Sequence, residues 1–139
     1  MVEPCTFAIF GATGNLARNK LFPALYHLEE SKRLPDGLRI LGFGRRDWDD
    51  ETWRGEIRAI LAERVRGALD ETVFERFAAR LHFFSGDIEE QDDFTRLRET
   101  LDGAEHLPKN LMFYMAIKPS DYAEAADRLA AAGLNDEYN

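Results

Sequence analysis

Apolar positions along this chain fall into two alternating rhythms. Phe7-Ala-Ile-Phe10 is a continuous apolar run, as expected of a strand covered on both faces, and a glycine turn follows it at once. Residues 16–30 then read as a helix interrupted at Pro23. The missing N–H and the ring of that proline predict a kink or a restart near Leu21 or Phe22. Leu34-Pro-Asp-Gly37 is a turn, and residues 38–44 form a second strand. Asp49 or Asp50 is placed to cap the next helix, where Trp53, Ile57, Ile60, Leu61 and Val65 share one helical face. Another helix starts at Asp70 and turns Val73, Phe74, Phe77 and Leu81 inward. A third strand covers 81–84 and ends at Gly86-Asp87. Residues 91–101 are helical, with Phe94, Leu97 and Leu101 at three- and four-residue steps. Pro108-Lys-Asn110 leads into a fourth strand at 111–115. Ser120 is placed to cap a last helix over 121–132, which Gly133 ends.

Strands alternating with helices imply crossover connections and a parallel sheet. The expected fold is α/β: a Rossmann-like, doubly wound parallel sheet of four strands in the order 3-2-1-4. A full dinucleotide fold adds at least one more strand beyond the fourth. The sheet is therefore expected to be incomplete, with an unpaired outer edge. There is no internal repeat and no low-complexity linker, so residues 1–139 read as one domain.

Composition narrows the function class. A net charge of -8 argues against a general nucleic-acid binder. The single cysteine, Cys5, excludes an internal disulfide and reads as a small buried residue of the first strand. No apolar run approaches the roughly 20 residues of a membrane span, and residues 1–10 do not make a signal peptide. The expected setting is reducing and cytoplasmic, without membrane contact.

The chemistry starts where the first strand meets the first helix. Gly11 and Gly14 in the spacing G-x-x-G-x-x-A let the backbone approach a pyrophosphate, and the helix start points its N–H groups and dipole at it. Ala17 is the third small position, where helix and strand pack closely. Thr13 either bonds a phosphate oxygen or shapes the turn, and Asn15 is placed to cap the helix. At the tip of the second strand, Gly42-Phe-Gly-Arg45-Arg46 offers guanidinium where an NADP site needs a 2′-phosphate ligand. Arg45 is the first choice and Arg46 the second. The competing reading is a solvated pair balancing Asp47, Asp49 and Asp50. Asp87 either opens a turn or meets an adenine edge. The backbone of Ala116 to Lys118 should border a cofactor, because ligands sit outside the carboxyl ends of such strands. By spacing alone Arg18 and Lys20 read as solvated. His27, His82 and His106 show no ligand spacing and are read as structural, and no metal constellation is present.

Three segments together resemble one family. GATGNLARNKLFPALY is close to the pattern G-A-S/T-G-D-L-A-K/R-x-K-L-x-P-A/S/T-L/I/V-Y/F/W of the glucose-6-phosphate dehydrogenase family, including Pro23 inside the helix. ILGFGRRDWDDETW resembles that family's second strand and arginine turn, and FYMAIKPSDY resembles its FYLALPPxxY segment. The resemblance runs through the chain in order. It implies oxidation of glucose 6-phosphate to 6-phosphogluconolactone with NADP, the entry step of the oxidative pentose phosphate pathway; use of NAD beside NADP stays open. It implies that Gly11, Thr13, Gly14, Asn15 and Leu16 line the pyrophosphate and ribose, that Arg45 holds the 2′-phosphate, that Ala116 borders the nicotinamide side and that Lys20 reaches the substrate. It also implies a homo-oligomer for the whole protein. Asn15 stands for the usual Asp, Asn19 for a frequent basic residue, and Lys118 for the first of two prolines.

The family's E-K-P-x-G and R-I-D-H-Y-L-G-K-E segments, the second carrying the histidine base, are not in this sequence. Alcohol oxidation needs a base for the hydroxyl proton. The chain is accordingly expected to be the N-terminal NAD(P)-binding domain without the last strands and the catalytic domain, with no catalytic residue of its own. It is expected to bind NADP and turn nothing over. Two alternatives share the first turn: an atypical short-chain dehydrogenase, and a non-catalytic NAD(P)-sensing module.

Overall fold

The computed structural model describes residues 4–64 and 69–134. Four parallel strands, β1 (Cys5–Phe10), β2 (Leu38–Gly44), β3 (Leu81–Ser85) and β4 (Leu111–Met115), pair in the order β3-β2-β1-β4, as the sequence predicts. The register aligns Phe10 with Phe43 and with Met115, so β1, β2 and β4 end level with one another. That common end is the carboxyl edge on which ligands sit in such sheets.

Alternation along the central strands builds two cores. Ile9 and Ile40 face one side, against Phe22, Tyr26, Trp53, Ile57 and Phe77 of α1 (Phe22–Glu30), α2 (Asp50–Arg64) and α3 (Glu71–Ala78). Phe10, Leu41 and Phe43 face the other, against Phe94, Leu97 and Leu129 of α4 (Gln91–Gly103) and α5 (Tyr122–Ala131). Each fully buried side chain of this size contributes about 1.5–3 kcal/mol. Cys5 is buried, as expected, and burial pushes its thiol pKa up. Val65, expected on the inner face of α2, lies outside the described residues.

The interruption at Pro23 takes a defined form. Ala17–Leu21 is a turn of π-helix, and the Phe22 N–H donates to the carbonyl of Ala17, five residues back. In a regular helix the proline ring would collide with the carbonyl of Asn19. The wider turn before Phe22 provides an alternative to that collision. Two expected caps are corrected. Asn15 does not cap: no side-chain cap bond opens this helix, and residues 15 and 16 are already helical. Ser120 does not cap either, because Pro119–Asp121 forms a 3-10 turn that feeds α5 without a side-chain cap. Two other helix starts do carry side-chain caps: of the candidates Asp49 and Asp50 the first serves α2, and Asp70, where the sequence starts a helix, caps α3. Asp49 accepts from Thr52 N–H at 2.8 Å, and Asp70 accepts from Thr72 and Val73 N–H. Gly133, at φ 77°, closes α5 with Leu134 N–H bonded to Leu129 and Gly133 N–H to Ala130.

The sheet edges differ. Over β3, Arg54 donates twice to the Leu81 carbonyl (3.0 and 2.7 Å) and Asp50 accepts from Phe83 N–H (2.7 Å), so α2 side chains cover that edge. Among the described residues β4 pairs only with β1, and Met112 is 55% exposed.

Candidate nucleotide cleft

A cleft of about 680 Å³ opens at the carboxyl edge, within the size range of small-molecule sites. The turn after β1 supplies Gly11, Thr13, Gly14, Asn15 and Leu16; the end of β2 and the residue after it supply Phe43, Gly44 and Arg45; the segment after β3 supplies Gly86 and Asp87; the segment after β4 supplies Ala116 to Lys118. The turn, Arg45 and Ala116 were all legible as site candidates. Phe43, Gly44, Ile88, Glu89 and Asp121 also line the cleft and were not. The signal available for Phe43 and Gly44 was their position at the strand tip.

The turn is held from two sides. Gly11 and Ala12 N–H groups both donate to the Phe43 carbonyl of β2 (3.1 and 3.2 Å), and Gly14 N–H donates to Gly11 (3.0 Å). Arg18 N–H makes the first bond of the helix, to Gly14. Thr13, Asn15, Leu16 and Ala17 N–H groups have no backbone acceptor among the described residues. These are the donors left for an anion at a helix start. The glycine N–H groups themselves are already used. Gly11 instead serves geometry: at φ 81° it passes so close to β4 that a Cβ would stand 2.2 Å from the Ala116 carbonyl oxygen. Ala17 is fully buried, as close helix–strand packing requires.

Among the described residues neither Arg45 nor Arg46 pairs directly with Asp47, Asp49 or Asp50. Asp49 is committed to its cap, and Asp50 to β3. Arg45 and Arg46 are exposed and make no ion pair among the described residues. Arg45 lines the main cleft. Arg46 leans on the Trp48 ring at 5.6 Å and lines a separate pocket of about 210 Å³ behind Thr13. Asp87 makes a turn, accepting from Glu89 N–H at 2.9 Å, and it also lines the cleft. Lys20 is exposed in the π-turn and lines neither concavity.

No histidine lines the cleft. His82 does have a partner the sequence did not show. Its Nδ1 lies 3.2 Å from Asp50 Oδ2, and its ring is 4.7 Å from that of His106. Donation to Asp50 fixes the Nδ1–H tautomer and leaves Nε2 buried without a partner. Burial lowers the His82 pKa below its ordinary 6.5, Asp50 opposes this, and His106 and Arg54 add to it. The unfolded chain then binds the proton first, at about 6.5, while the folded chain stays neutral. Stability is therefore expected to fall as pH drops below that value. Urea midpoints between pH 7.5 and 5.5 check this. His82→Phe should flatten the slope in that window, and an unchanged slope would remove His82 as its source.

The described residues contain no group of three metal-ligating side chains and no helix long and apolar enough to cross a membrane. A family model described as glucose-6-phosphate dehydrogenase, NAD binding domain, matches residues 8–139. The chain is 38% identical over 138 residues to glucose-6-phosphate 1-dehydrogenase of Mycolicibacterium smegmatis, covering 96% of this chain and 28% of the relative. It is 36% identical over 135 residues to that of Dickeya dadantii, covering 97% and 27%. The crystal structure of glucose-6-phosphate 1-dehydrogenase from Mycobacterium avium superposes with a TM-score of 0.83 at 30% identity, over 96% of this chain and 28% of that one. A glucose-6-phosphate dehydrogenase in complex with its substrate glucose-6-phosphate gives 0.79 at 24% identity over 98% and 28%, a likeness of fold. The chain thus spans a little over a quarter of the length of the curated relatives it matches. Its glycine turn and level strand ends are those of a dinucleotide seat, and the chain belongs to the glucose-6-phosphate dehydrogenase family, within that family's NAD binding domain.

Proposed function

We propose that residues 1–139 are the N-terminal cofactor domain of an NADP-dependent glucose-6-phosphate dehydrogenase, bind NADP in the main cleft, and do not catalyse by themselves. The observation that carries this reading is one juxtaposition. Unbonded N–H groups of Thr13, Asn15 and Leu16 border the same cleft as Arg45, which has no ion-pair partner among the described residues. Free donors at a helix start suit the pyrophosphate. A forked guanidinium at the tip of β2 suits a 2′-phosphate. Gly11, Gly14 and Ala116 shape the wall between them. When bound, the nicotinamide supplies the hydride acceptor; the chain's own part is to hold and orient it.

The proton acceptor for the sugar hydroxyl is assigned outside these residues, since no histidine lines the cleft. Lys20 is assigned to the substrate by family resemblance alone, and glucose 6-phosphate is the proposed substrate of the whole protein. Cytoplasmic location, supported by the lone buried thiol, and a homo-oligomeric whole protein complete the proposal. The family match favours this reading over a short-chain dehydrogenase.

Calorimetry with NADP and NAD tests the cofactor assignment. NADP should bind the wild-type chain more tightly. Arg45→Ala should weaken NADP roughly tenfold or more, the worth of a lost charge-assisted bond, and leave NAD nearly unchanged. Equal affinity for the two cofactors in the wild-type chain would sink the arginine argument. Turnover of glucose 6-phosphate by these 139 residues would overturn the assignment of the base.

A further inference from the structure

We infer that Arg18, which spacing alone reads as a solvated residue, is a specificity-determining residue that closes a side pocket around the cofactor's 2′-phosphate; this rests on the NADP reading above. The side pocket lies behind the turn, bordered by Thr13, Arg18, Arg46, Trp48, Trp53 and Glu56 among others. Thr13 borders both this pocket and the main cleft. A ligand in the cleft therefore reaches the side pocket across a single residue.

Size and charge say what enters. At about 210 Å³ the pocket is smaller than the main cleft, and below the range of sites that hold a whole drug-sized ligand. It suits one substituent projecting from a larger molecule. Two guanidiniums line it against one carboxylate, Glu56. Arg18 and Arg46 make no ion pair within 4.0 Å among the described residues, so neither guanidinium is tied up in a direct contact with Glu56. Such a surplus of forked donors matches a compact dianion. The pocket also stands next to the tip of β2, where the adenosine ribose of a dinucleotide lies. A phosphate on that ribose is the group that satisfies all three conditions.

Arg18 and Arg46 approach from different elements. Arg18 belongs to the π-turn Ala17–Leu21, and Arg46 follows β2 with its guanidinium over Trp48. Arg45 meets the ligand from the main cleft. The 2′-phosphate is thus clamped from both sides of Thr13, and the NADP preference is shared between the helix and the strand tip.

Trp48 and Trp53 are the two tryptophans of the chain and both line the side pocket. Their emission reads occupancy directly. The test uses the whole chain, with 2′,5′-ADP and 5′-ADP as probes beside NADP and NAD. Expected are a larger emission change with 2′,5′-ADP than with 5′-ADP, and a roughly tenfold weaker NADP affinity in Arg18→Gln with NAD held within about twofold. Arg18 is exposed, and matched melting curves confirm that the variant folds. A loss common to NADP and NAD, or no loss at all, overturns the assignment while the cofactor reading stands. If the wild-type chain binds neither dinucleotide, the cofactor reading fails and the side-pocket assignment falls with it.

Discussion

Arg80→Met is expected to destabilise the chain by about 3–5 kcal/mol, the usual cost of stranding one member of a buried ion pair. Arg80 precedes β3 and is 6% exposed; Glu29, near the end of α1, is 3% exposed. Arg80 Nε donates to Glu29 Oε1 at 2.6 Å, and Arg80 Nη1 donates to the carbonyls of Pro35 (2.6 Å) and Leu38 (2.9 Å). One guanidinium therefore joins the end of α1, the turn before β2 and the start of β3. Methionine fills much of the volume but leaves a buried carboxylate and two carbonyls without this donor. Arg76, 3.7 Å from the second carboxylate oxygen and largely exposed, compensates little. A domain of this size has total stability of about 5–15 kcal/mol, so the variant should sit near its unfolding threshold at room temperature. Adding Glu29→Leu should recover most of the loss, because removing both charges avoids the stranded one. Urea denaturation of the two variants and the wild type measures this. A loss below about 1 kcal/mol in Arg80→Met would mean that water reaches the pair.

Gly11→Ala and Gly14→Ala are expected to fail in opposite ways. At Gly11 the φ of 81° is strained for any side chain, and a Cβ would lie 2.2 Å from the Ala116 oxygen and 2.9 Å from its carbonyl carbon. Those atoms are backbone of the segment after β4 and cannot rotate away. The left-handed conformation costs about 1–2 kcal/mol, and overpacking adds about 1–3 kcal/mol. The expected loss is a few kcal/mol of stability, with β4 pushed from β1 at its carboxyl end. At Gly14 the φ is ordinary, and a Cβ would be 3.3 Å from the Gly11 oxygen. The fold should tolerate alanine there with a small loss. The methyl would instead occupy cleft space beside the unbonded N–H groups, so NADP affinity should drop at least tenfold. Melting temperature and calorimetry on both variants separate the two effects. A Gly11→Ala chain as stable as wild type would refute the close approach to Ala116. A Gly14→Ala chain with full affinity would move the phosphate away from this turn.

The two glycines show where sequence reasoning stops. Spacing identified both as parts of a phosphate turn, and the cleft contains both. It did not separate their jobs, because Gly11 is constrained by Ala116, a residue 105 positions away that only strand pairing brings close. The arginine tip of β2 divides in the same manner. Local pattern placed Arg45 and Arg46 together, yet Arg45 faces the main cleft and Arg46 a side pocket with Arg18.

Local physics was enough for the element order, for the bounds of β2 and β4, for a cap at Asp49 or Asp50, and for a helix start at Asp70. Apolar periodicity and turn chemistry act over a few residues, and the sequence carries them directly. It also placed a kink or a restart near Leu21 or Phe22, since Pro23 disfavours a regular turn there, and the fold gave that break the form of a π-turn over Ala17–Leu21. Tertiary structure alone decided which N–H groups stay free, because the Phe43 carbonyl consumes two of them. It decided that Glu29 meets Arg80 and that His82 meets Asp50 and His106. Those pairings depend on strand register and helix packing, which join segments far apart in the chain, and no local pattern encodes the distances they set.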